Sequence, residues 1–309
     1  MTSLKGRRCV RQKDSNILNK RSGSEKVLFG VVFAFFVLYA LSLILPFLFL
    51  FFNSLKTGLE YMDGLVGGNA FALPQSWEFS NYITALNGMA MIDSLGNSIY
   101  LPQMFLNSFL YAGLTAATGV FASSLTSYCL AKYRFRLRGV LYGIAIFTMT
   151  IPIIGTTGAS FKLMSDLGLY NTPLYILCAG FSGFGFNFLV LYAFFKGIPW
   201  SYAEAVFIDG GGHSTVFFRV MLPQALPSLL TLGIITFIGA WNDYMTVLLF
   251  LPDYPTVSSG LYQMQTLLRA GDYPAYYAGI LISVIPILIL FGCFSDVIMK
   301  NMTVGGLKG

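Results

Sequence analysis

Residues 204–227 read EAVFIDGGGHSTVFFRVMLPQALP and form a polar interruption between two strongly apolar parts of the chain. Glu204 and Asp209 stand five residues apart, a run of three glycines follows, and two prolines stand four apart. Residues 203–208 suit one short helix, which the glycines 210–212 end. A helix of about eight residues is only about 12 Å long and is marginal in water, so it needs a surface to dock against.

The side chains of this predicted helix favour a protein partner. Val206 and Phe207 offer an apolar anchor, and Ser201 and Glu204 have the spacing of a capping box at the helix start. A helix that lies on the bilayer surface normally carries Lys and Arg on its polar face, whereas this one carries acids. The surface helix is the alternative that the residues alone leave open.

The composition identifies an integral membrane protein. Hydrophobic residues make up 56% of the 309 residues and charged residues only 10%, whereas a soluble domain carries about 25% charged residues. The net charge of +6 does not indicate nucleic-acid binding, because the basic residues lie in short stretches between apolar segments. The four cysteines have no metal-site or disulfide spacing, and the single histidine cannot form a metal site alone.

Six apolar stretches are long enough to cross the bilayer. Crossing about 30 Å of hydrocarbon takes roughly 20 helical residues, and the lack of water there requires every segment to be a helix. The sequence therefore predicts an all-α integral membrane protein with six transmembrane helices, at approximately 27–52, 105–131, 140–161, 173–195, 226–251 and 276–298.

The basic residues lie mostly on one side of this bundle. Eight precede residue 27, four lie in 132–138, two (Lys196 and Arg219) lie in the loop between the fourth and fifth stretches, and two follow residue 298. The opposite side has Lys56, Lys162 and Arg269. Cytoplasmic loops carry the excess of Lys and Arg, so both termini and the quoted loop are expected in the cytoplasm, with the chain multi-pass in a bacterial plasma membrane.

This topology divides the chain into three parts. A basic cytoplasmic tail (1–26) precedes a six-helix membrane domain (27–298), which contains the cytoplasmic loop 197–225, and a second cytoplasmic tail (299–309) follows. The largest external segment, 53–104, is rich in Gly, Asn and Ser. We expect it to form short surface helices and turns.

The quoted loop resembles the EAA motif of the membrane subunits of binding-protein-dependent ABC importers. That motif is Glu-Ala-Ala, three residues, Gly, nine residues, Ile, one residue and Leu-Pro. Every interval fits, with Val206 in place of an Ala and Val220 in place of an Ile. The matching positions are Glu204, Ala205, Val206, Gly210, Val220, Leu222 and Pro223.

Other stretches extend the resemblance over nearly the whole chain, to the smaller, G-type subunit of the maltose-type carbohydrate permeases. These stretches are NSLK at 53–56, FLNS at 105–108, AKYRFR at 131–136, GIP at 197–199, WND at 241–243 and TVGGLKG at 303–309. The external segment 53–104 is longer than the family pattern.

The resemblance implies an ABC importer permease fold with a cytoplasmic coupling helix, and no cofactor. A second, F-type permease subunit would complete the translocation path, a cytoplasmic ABC ATPase dimer would receive the helix, and an extracytoplasmic solute-binding protein would deliver a sugar. It assigns ATPase coupling to Glu204, Ala205, Val206, Phe207, Asp209, Gly210, Leu222 and Pro223. By the same analogy, Lys308 and Gly309 of the tail would lie near the ATPase interface.

Three polar residues inside predicted spans are candidates for the translocation path. Asp243 is the only carboxylate well inside a span, and intramembrane acids are functional candidates because their burial is costly. Asn242 precedes it, and Asn187 lies in the fourth stretch. Consecutive helical residues do not share a face, so residues 241–243 could line one path only if the helix unwinds. Hydrogen bonding between helices is the alternative for each polar residue.

Other function classes compete with a sugar permease. The chain has no phosphate-binding G-x-x-x-x-G-K-[ST] loop, so we expect ATP hydrolysis to belong to a partner and this chain not to be an enzyme. An intramembrane protease would need a Ser/His pair or H-E-x-x-H within the spans, whereas His213 lies in a loop. A secondary transporter would show repeats and more buried ionisable groups. A permease for a peptide or polyamine stays an alternative.

Overall fold

The computed structural model describes residues 23–88, 90–150, 155–269 and 272–304. This part of the chain is mostly helical, as the sequence predicts, and contains one two-stranded antiparallel sheet. A π-helical turn, Val216–Met221, joins α10 to α11. The elements in chain order are α1 (Gly23–Ser54), α2 (Gly58–Val66), α3 (Ser80–Asn87), β1 (Ala90–Ile92), β2 (Ser98–Tyr100), α4 (Leu101–Lys132), α5 (Arg138–Thr150), α6 (Thr156–Asp166), α7 (Tyr175–Gly180), α8 (Phe186–Gly197), α9 (Ser201–Ile208), α10 (His213–Thr215), α11 (Leu222–Asn242), α12 (Met245–Phe250), α13 (Val257–Leu267) and α14 (Tyr273–Val304).

Four helical segments of the described chain are long and apolar enough to cross a membrane. They are Glu25–Ser54, Leu101–Lys132, His213–Asn242 and Tyr273–Ser295. These segments correspond to the first, second, fifth and sixth predicted stretches. The count of six spans is therefore not confirmed by helix length and stays a prediction.

The third and fourth predicted stretches are not single long helices among the described residues. In the third, α5 and α6 flank residues 151–154, which lie outside the described part. In the fourth, α7 ends at Gly180 and α8 begins at Phe186, so the prediction of one helix over 173–195 was wrong. Gly185 has φ 136°, a conformation that favours glycine and is not helical.

The break between α7 and α8 is held against α4 by hydroxyl groups. Thr126 Oγ1 donates to the carbonyl of Gly183 over 2.6 Å, and Ser123 Oγ donates to that of Ser182 over 3.1 Å. A Cβ atom at Gly180 would lie 2.5 Å from the carbonyl oxygen of Thr115, so the two backbones meet closely. Non-helical backbone within a membrane requires such partners.

The fifth predicted stretch, 226–251, has different ends in the structure. Helical structure runs without interruption from His213 to Asn242, and then Asp243 and Tyr244 are not helical before α12 begins. Pro223 has no N–H to donate to the preceding turn, and the residues just before it, Val216–Met221, form a π-helical turn. Helical structure therefore begins well before residue 226 and passes through Pro223.

Apolar clusters lie at both ends of α4, the most buried long helix. At the Lys132 end, Tyr128 packs with Leu191 and Phe195 of α8 and with Phe217 and Met221 of the π-helical turn. At the Leu101 end, the cluster combines α4 with α13 and α14, through Leu101, Met104, Val257, Leu261, Met264 and Tyr276. The quoted loop therefore lies at one end of α4 and the segment 53–104 at the other.

The segment 53–104 contains a β-hairpin that the sequence did not predict, besides the expected short helices α2 and α3. Ala90 pairs with Tyr100 and Ile92 with Ser98. The tip is attached to two other loops through Asp253, whose carboxylate accepts from the Ser94 backbone N–H over 2.8 Å and from Asn171 Nδ2 over 2.6 Å. These bonds join three segments that are far apart in the sequence.

Candidate functional site

Helix α9 packs inward through one face, defined by Ala203, Val206 and Phe207. Ala203 is fully buried, and the other two are half-buried against the cluster at the Lys132 end of α4. These residues stand three and four apart, which places them on the same side of a helix. Val206 and Phe207, expected to anchor a partner, thus contact the chain itself. This packing does not test whether they also couple to a partner, so their coupling role stays a prediction.

The opposite face of α9 is exposed and consists of Ser201, Glu204, Ala205 and Ile208. These residues also stand three or four apart in the sequence, which places them on one side of the helix. Ile208 is 85% exposed, and it is the apolar residue on this face that the sequence reasoning missed. The spacing of 201, 204, 205 and 208 was the signal that could have found it.

The start and the end of α9 differ in how well the sequence predicted them. The helix does not begin with the expected capping box, because Trp200 is the N-cap residue and its side chain makes no capping hydrogen bond. It ends as predicted at Asp209 and Gly210. Asp209 is exposed, its N–H donates to the carbonyl of Ala205 over 3.1 Å, and Gly210 has φ 79°.

Aromatic rings join α9 to the neighbouring loops. Tyr133, just after α4, forms a hydrogen bond of 2.9 Å between its hydroxyl and Nδ1 of His213. The ring of His213 lies 5.0 Å from that of Phe207, and the ring of Tyr133 lies 5.9 Å from that of Trp200. Lys132 Nζ donates to the carbonyl of Ile198. The basic stretch 132–138 and the quoted loop thus form one structural unit.

The end of the motif lies apart from the exposed face of α9. Leu222 is half-buried against the same apolar cluster, and Pro223 is exposed. Both belong to the long helix that continues into α11. Lys308 and Gly309 lie outside the described residues.

Asp243 lies where α11 ends, on the wall of an open cavity of about 590 Å³. Its Oδ2 accepts from the Tyr111 hydroxyl over 3.3 Å, and its Oδ1 accepts from the Thr246 backbone N–H over 3.0 Å. Residues 243–244 are not helical, so Asp243 does not continue the regular helical positions of Trp241 and Asn242. The hydroxyl-bearing residues that line the same cavity are Tyr111, Thr115, Thr156, Thr157, Ser160, Tyr175, Thr236 and Thr246.

The other two candidates for the translocation path, Asn242 and Asn187, are not among the residues that line this cavity. Asn242 is exposed, and its amide donates to the carbonyl of Ile238 in its own helix over 2.8 Å. Asn187 Nδ2 donates to Thr236 Oγ1 over 3.0 Å, which is a hydrogen bond between helices, and Thr236 lines the cavity. Of the three candidates, Asp243 borders this cavity directly. Among the described residues, no group of His, Cys, Asp and Glu side chains could hold a metal ion.

Comparison with known proteins matches most of the membrane part. The sequence model of the family described as "Binding-protein-dependent transport system inner membrane component" matches residues 118–304. YurM of Bacillus subtilis (strain 168), a probable ABC transporter permease, is 28% identical over 90% of this chain and 88% of that protein. NgcG of Streptomyces coelicolor, a diacetylchitobiose uptake permease, is 26% identical over 93% of this chain and 91% of that protein.

A solved structure has the same overall architecture. It is a bacterial ABC transporter involved in the import of the acidic polysaccharide alginate, and one of its chains is 26% identical to this one. The alignment covers 89% of this chain and 98% of that chain, with a TM-score of 0.70.

Proposed function

This chain belongs to the family of binding-protein-dependent transport system inner membrane components, and on that basis we propose that it is a permease subunit of an ABC importer for a sugar or oligosaccharide. A second permease subunit completes the translocation path, and a solute-binding protein delivers the cargo. A cytoplasmic ATPase dimer supplies the free energy. The names of relatives such as NgcG support a saccharide as cargo.

One observation carries the proposal: α9 is packed against the chain on one side and exposed on the other. Its inward face and the rings of Tyr133, Trp200 and His213 fix its position. Its outward face presents Ile208 beside the Glu204 carboxylate. A short helix fixed in this way can transmit a displacement of the ATPase to α4 and α11, because all three share one packed cluster.

The coupling residues then divide into two groups. Glu204, Ala205 and Asp209 are exposed and contact the ATPase, together with Ile208. Val206, Phe207 and Leu222 transmit the contact to the membrane helices, while Gly210 and Pro223 set the backbone path. Lys308 and Gly309 of the tail approach the same partner.

The proposed topology has six spans within 27–298 and both termini in the cytoplasm. The basic stretch 132–138 supports this orientation, because it lies beside the coupling loop at one end of α4. The hairpin and α2 lie at the other end, where no comparable cluster of basic residues occurs in the sequence. Each of the broken stretches, α5 with α6 and α7 with α8, would supply one of the two further spans.

The test is affinity purification of the chain from its own host in mild detergent, with mass spectrometry of the proteins recovered. We expect a soluble ATPase and a second multi-span permease. Ile208→Asp should lower ATPase recovery roughly tenfold, as loss of a central apolar anchor does at other interfaces. Glu204→Lys should act in the same direction.

Matched controls lie on the other side of the molecule. Leu267→Asp changes an equally exposed apolar residue of α13, and Asp166→Lys reverses an exposed charge at the end of α6. Both should retain the ATPase. Recovery of the chain without an ATPase, or equal recovery in all four variants, would contradict the coupling role of α9.

A further inference from the structure

The similar proteins differ in the charge of their cargo. The cargo in the name of NgcG, diacetylchitobiose, is a neutral disaccharide. The cargo of the solved transporter, alginate, is acidic. The groups that line the cavity at Asp243 indicate whether the present chain accepts a neutral or an acidic cargo. Its volume of about 590 Å³ falls within the range of roughly 300–1,000 Å³ that is usual for small-molecule sites.

The Asp243 carboxylate has acceptor capacity to spare. Each of its oxygens accepts one hydrogen bond, from Tyr111 and from the Thr246 backbone respectively. An ionised carboxylate offers about four lone-pair sites, so further donors can be accommodated. The two existing bonds come from α4 and from the start of α12, and they fix the carboxylate at the cavity wall.

A second polar group of the cavity lacks a partner. Thr115 lines the same wall, and its Oγ1 is buried without a hydrogen-bond partner among the described residues. Such orphaned polar atoms are rare in native proteins and call for a ligand or an ordered water. Thr115 lies one helical turn from Tyr111, so both hydroxyls belong to the same face of α4.

The remaining walls suit a sugar ring. Tyr175 stacks on Phe250 with 4.7 Å between the ring centroids and an interplanar angle of 8°, and both residues line the cavity. Thr156, Thr157 and Ser160 add hydroxyl groups from α6. Hydroxyls that both donate and accept hydrogen bonds match the hydroxyl groups of a pyranose, which do the same.

The described wall of the cavity carries negative charge and no positive charge. Among the described residues that line the cavity, Asp243 is the single charged one, and none is Lys, Arg or His. A cargo carboxylate or sulfonate here would face Asp243 without a compensating cation among the described residues of the wall. Two like charges a few ångströms apart repel each other even in an open cavity, where water weakens the repulsion. A sugar hydroxyl, by contrast, would donate a charge-assisted hydrogen bond to Asp243.

We propose that this cavity binds a neutral, hydroxyl-rich saccharide through Asp243 and Thr115 and excludes anionic sugars. The proposal rests on the importer function above and adds the charge class of its cargo and the residues of this subunit that contact it.

The first experiment measures uptake in the native host with and without this chain. The probes are radiolabelled maltose, trehalose, N,N′-diacetylchitobiose and arabinobiose as neutral sugars, and digalacturonate as the anionic one. Deleting the chain should lower uptake of at least one neutral probe roughly tenfold or more and leave digalacturonate uptake unchanged. Loss of digalacturonate uptake on deletion would overturn the proposed charge class.

The second experiment tests the site with the affected probe, at equal amounts of the chain in the membrane. Asp243→Asn and Thr115→Val should each reduce initial uptake roughly tenfold, in keeping with loss of a charge-assisted bond or a buried hydrogen-bond partner. Matched controls are Asp166→Asn at the end of α6 and Thr118→Val, whose hydroxyl donates within its own helix. The controls should change uptake less than about twofold, as surface substitutions usually do.

The two proposals fail in different ways. If the cavity variants transport like the controls while deletion still abolishes uptake, the importer function stands and the cavity site is wrong. If deletion changes uptake of no saccharide and no ATPase is recovered with the chain, the importer function itself is wrong.

Discussion

At the scale of single residues, Gly211 shows how closely α9 packs against the turn that follows it. A Cβ atom there would lie 2.5 Å from Cγ1 of Val206, so Gly211→Ala must displace Val206 from the cluster. We expect the free energy of unfolding to fall by about 1–3 kcal/mol, as for other overpacked sites. Thermal unfolding in detergent measures this.

The neighbouring glycine provides the control. A Cβ atom at Gly212 would meet nothing within 4 Å, and its φ of −95° suits any residue. Gly212→Ala should therefore unfold at the temperature of the unaltered protein. Equal destabilisation by both substitutions would show that backbone freedom, and not the contact with Val206, matters here.

Asp253 is the residue that attaches the hairpin to the rest of the molecule. Hydrogen bonds from the Ser94 side chain and backbone, and then from Asn171, lower the pKa of its carboxyl below the usual value. A lowered pKa means that the ionised form is stabilised by folding, so the contribution is present at neutral pH and is lost as the pH falls through the lowered pKa. We expect amide hydrogen exchange at Ser94 to accelerate at acidic pH, beyond its intrinsic dependence on pH.

The same loss should occur at neutral pH in Asp253→Asn, because the amide has one acceptor oxygen, whereas the carboxylate uses Oδ1 for the Ser94 N–H and Oδ2 for Asn171. Exchange at Ser94 should rise roughly tenfold, the effect of losing a charge-assisted hydrogen bond. Asp63→Asn, an exposed acid in the same external segment, is the control and should leave it unchanged. Unchanged exchange in Asp253→Asn would mean that β pairing alone holds the tip.

At the scale of elements, the break between α7 and α8 depends on hydroxyl groups of α4. The double variant Ser123→Ala/Thr126→Val leaves the carbonyls of Ser182 and Gly183 without these donors. Each carbonyl that loses its donor in apolar surroundings costs about 1–3 kcal/mol, so the thermal midpoint in detergent should fall. Thr118→Val, whose hydroxyl bonds only within α4, should not change it. A double variant as stable as this control would show that water replaces the donors.

At the scale of the whole molecule, the two ends of α4 should lie on opposite sides of the membrane. In a cysteine-free background, Ser76→Cys and Ser214→Cys each place one exposed thiol, in the external segment and beside the coupling loop respectively. A membrane-impermeant maleimide should label Cys at 76 in intact cells and Cys at 214 only after permeabilisation. The reverse pattern would invert the topology inferred from the basic residues.

The sequence by itself determined the membrane character, the coarse helical architecture, the position of the loop and the family that its motif resembles. These properties follow from local composition, because hydropathy, charge and motif spacing are set by residues that are near one another in the chain. The same reasoning found the end of α9 at Asp209 and Gly210, where the backbone conformation itself requires glycine.

Only the tertiary structure decided which face of α9 is free, where the fourth and fifth stretches break, and how Asp243, Thr115 and Tyr175 border one cavity. Each depends on contacts between distant residues, such as Tyr133 with His213, which are 80 residues apart. Apolar residues such as Val206 and Ile208 look alike in a sequence. Their different burial arises because a neighbouring helix covers one side of α9 and leaves the other exposed.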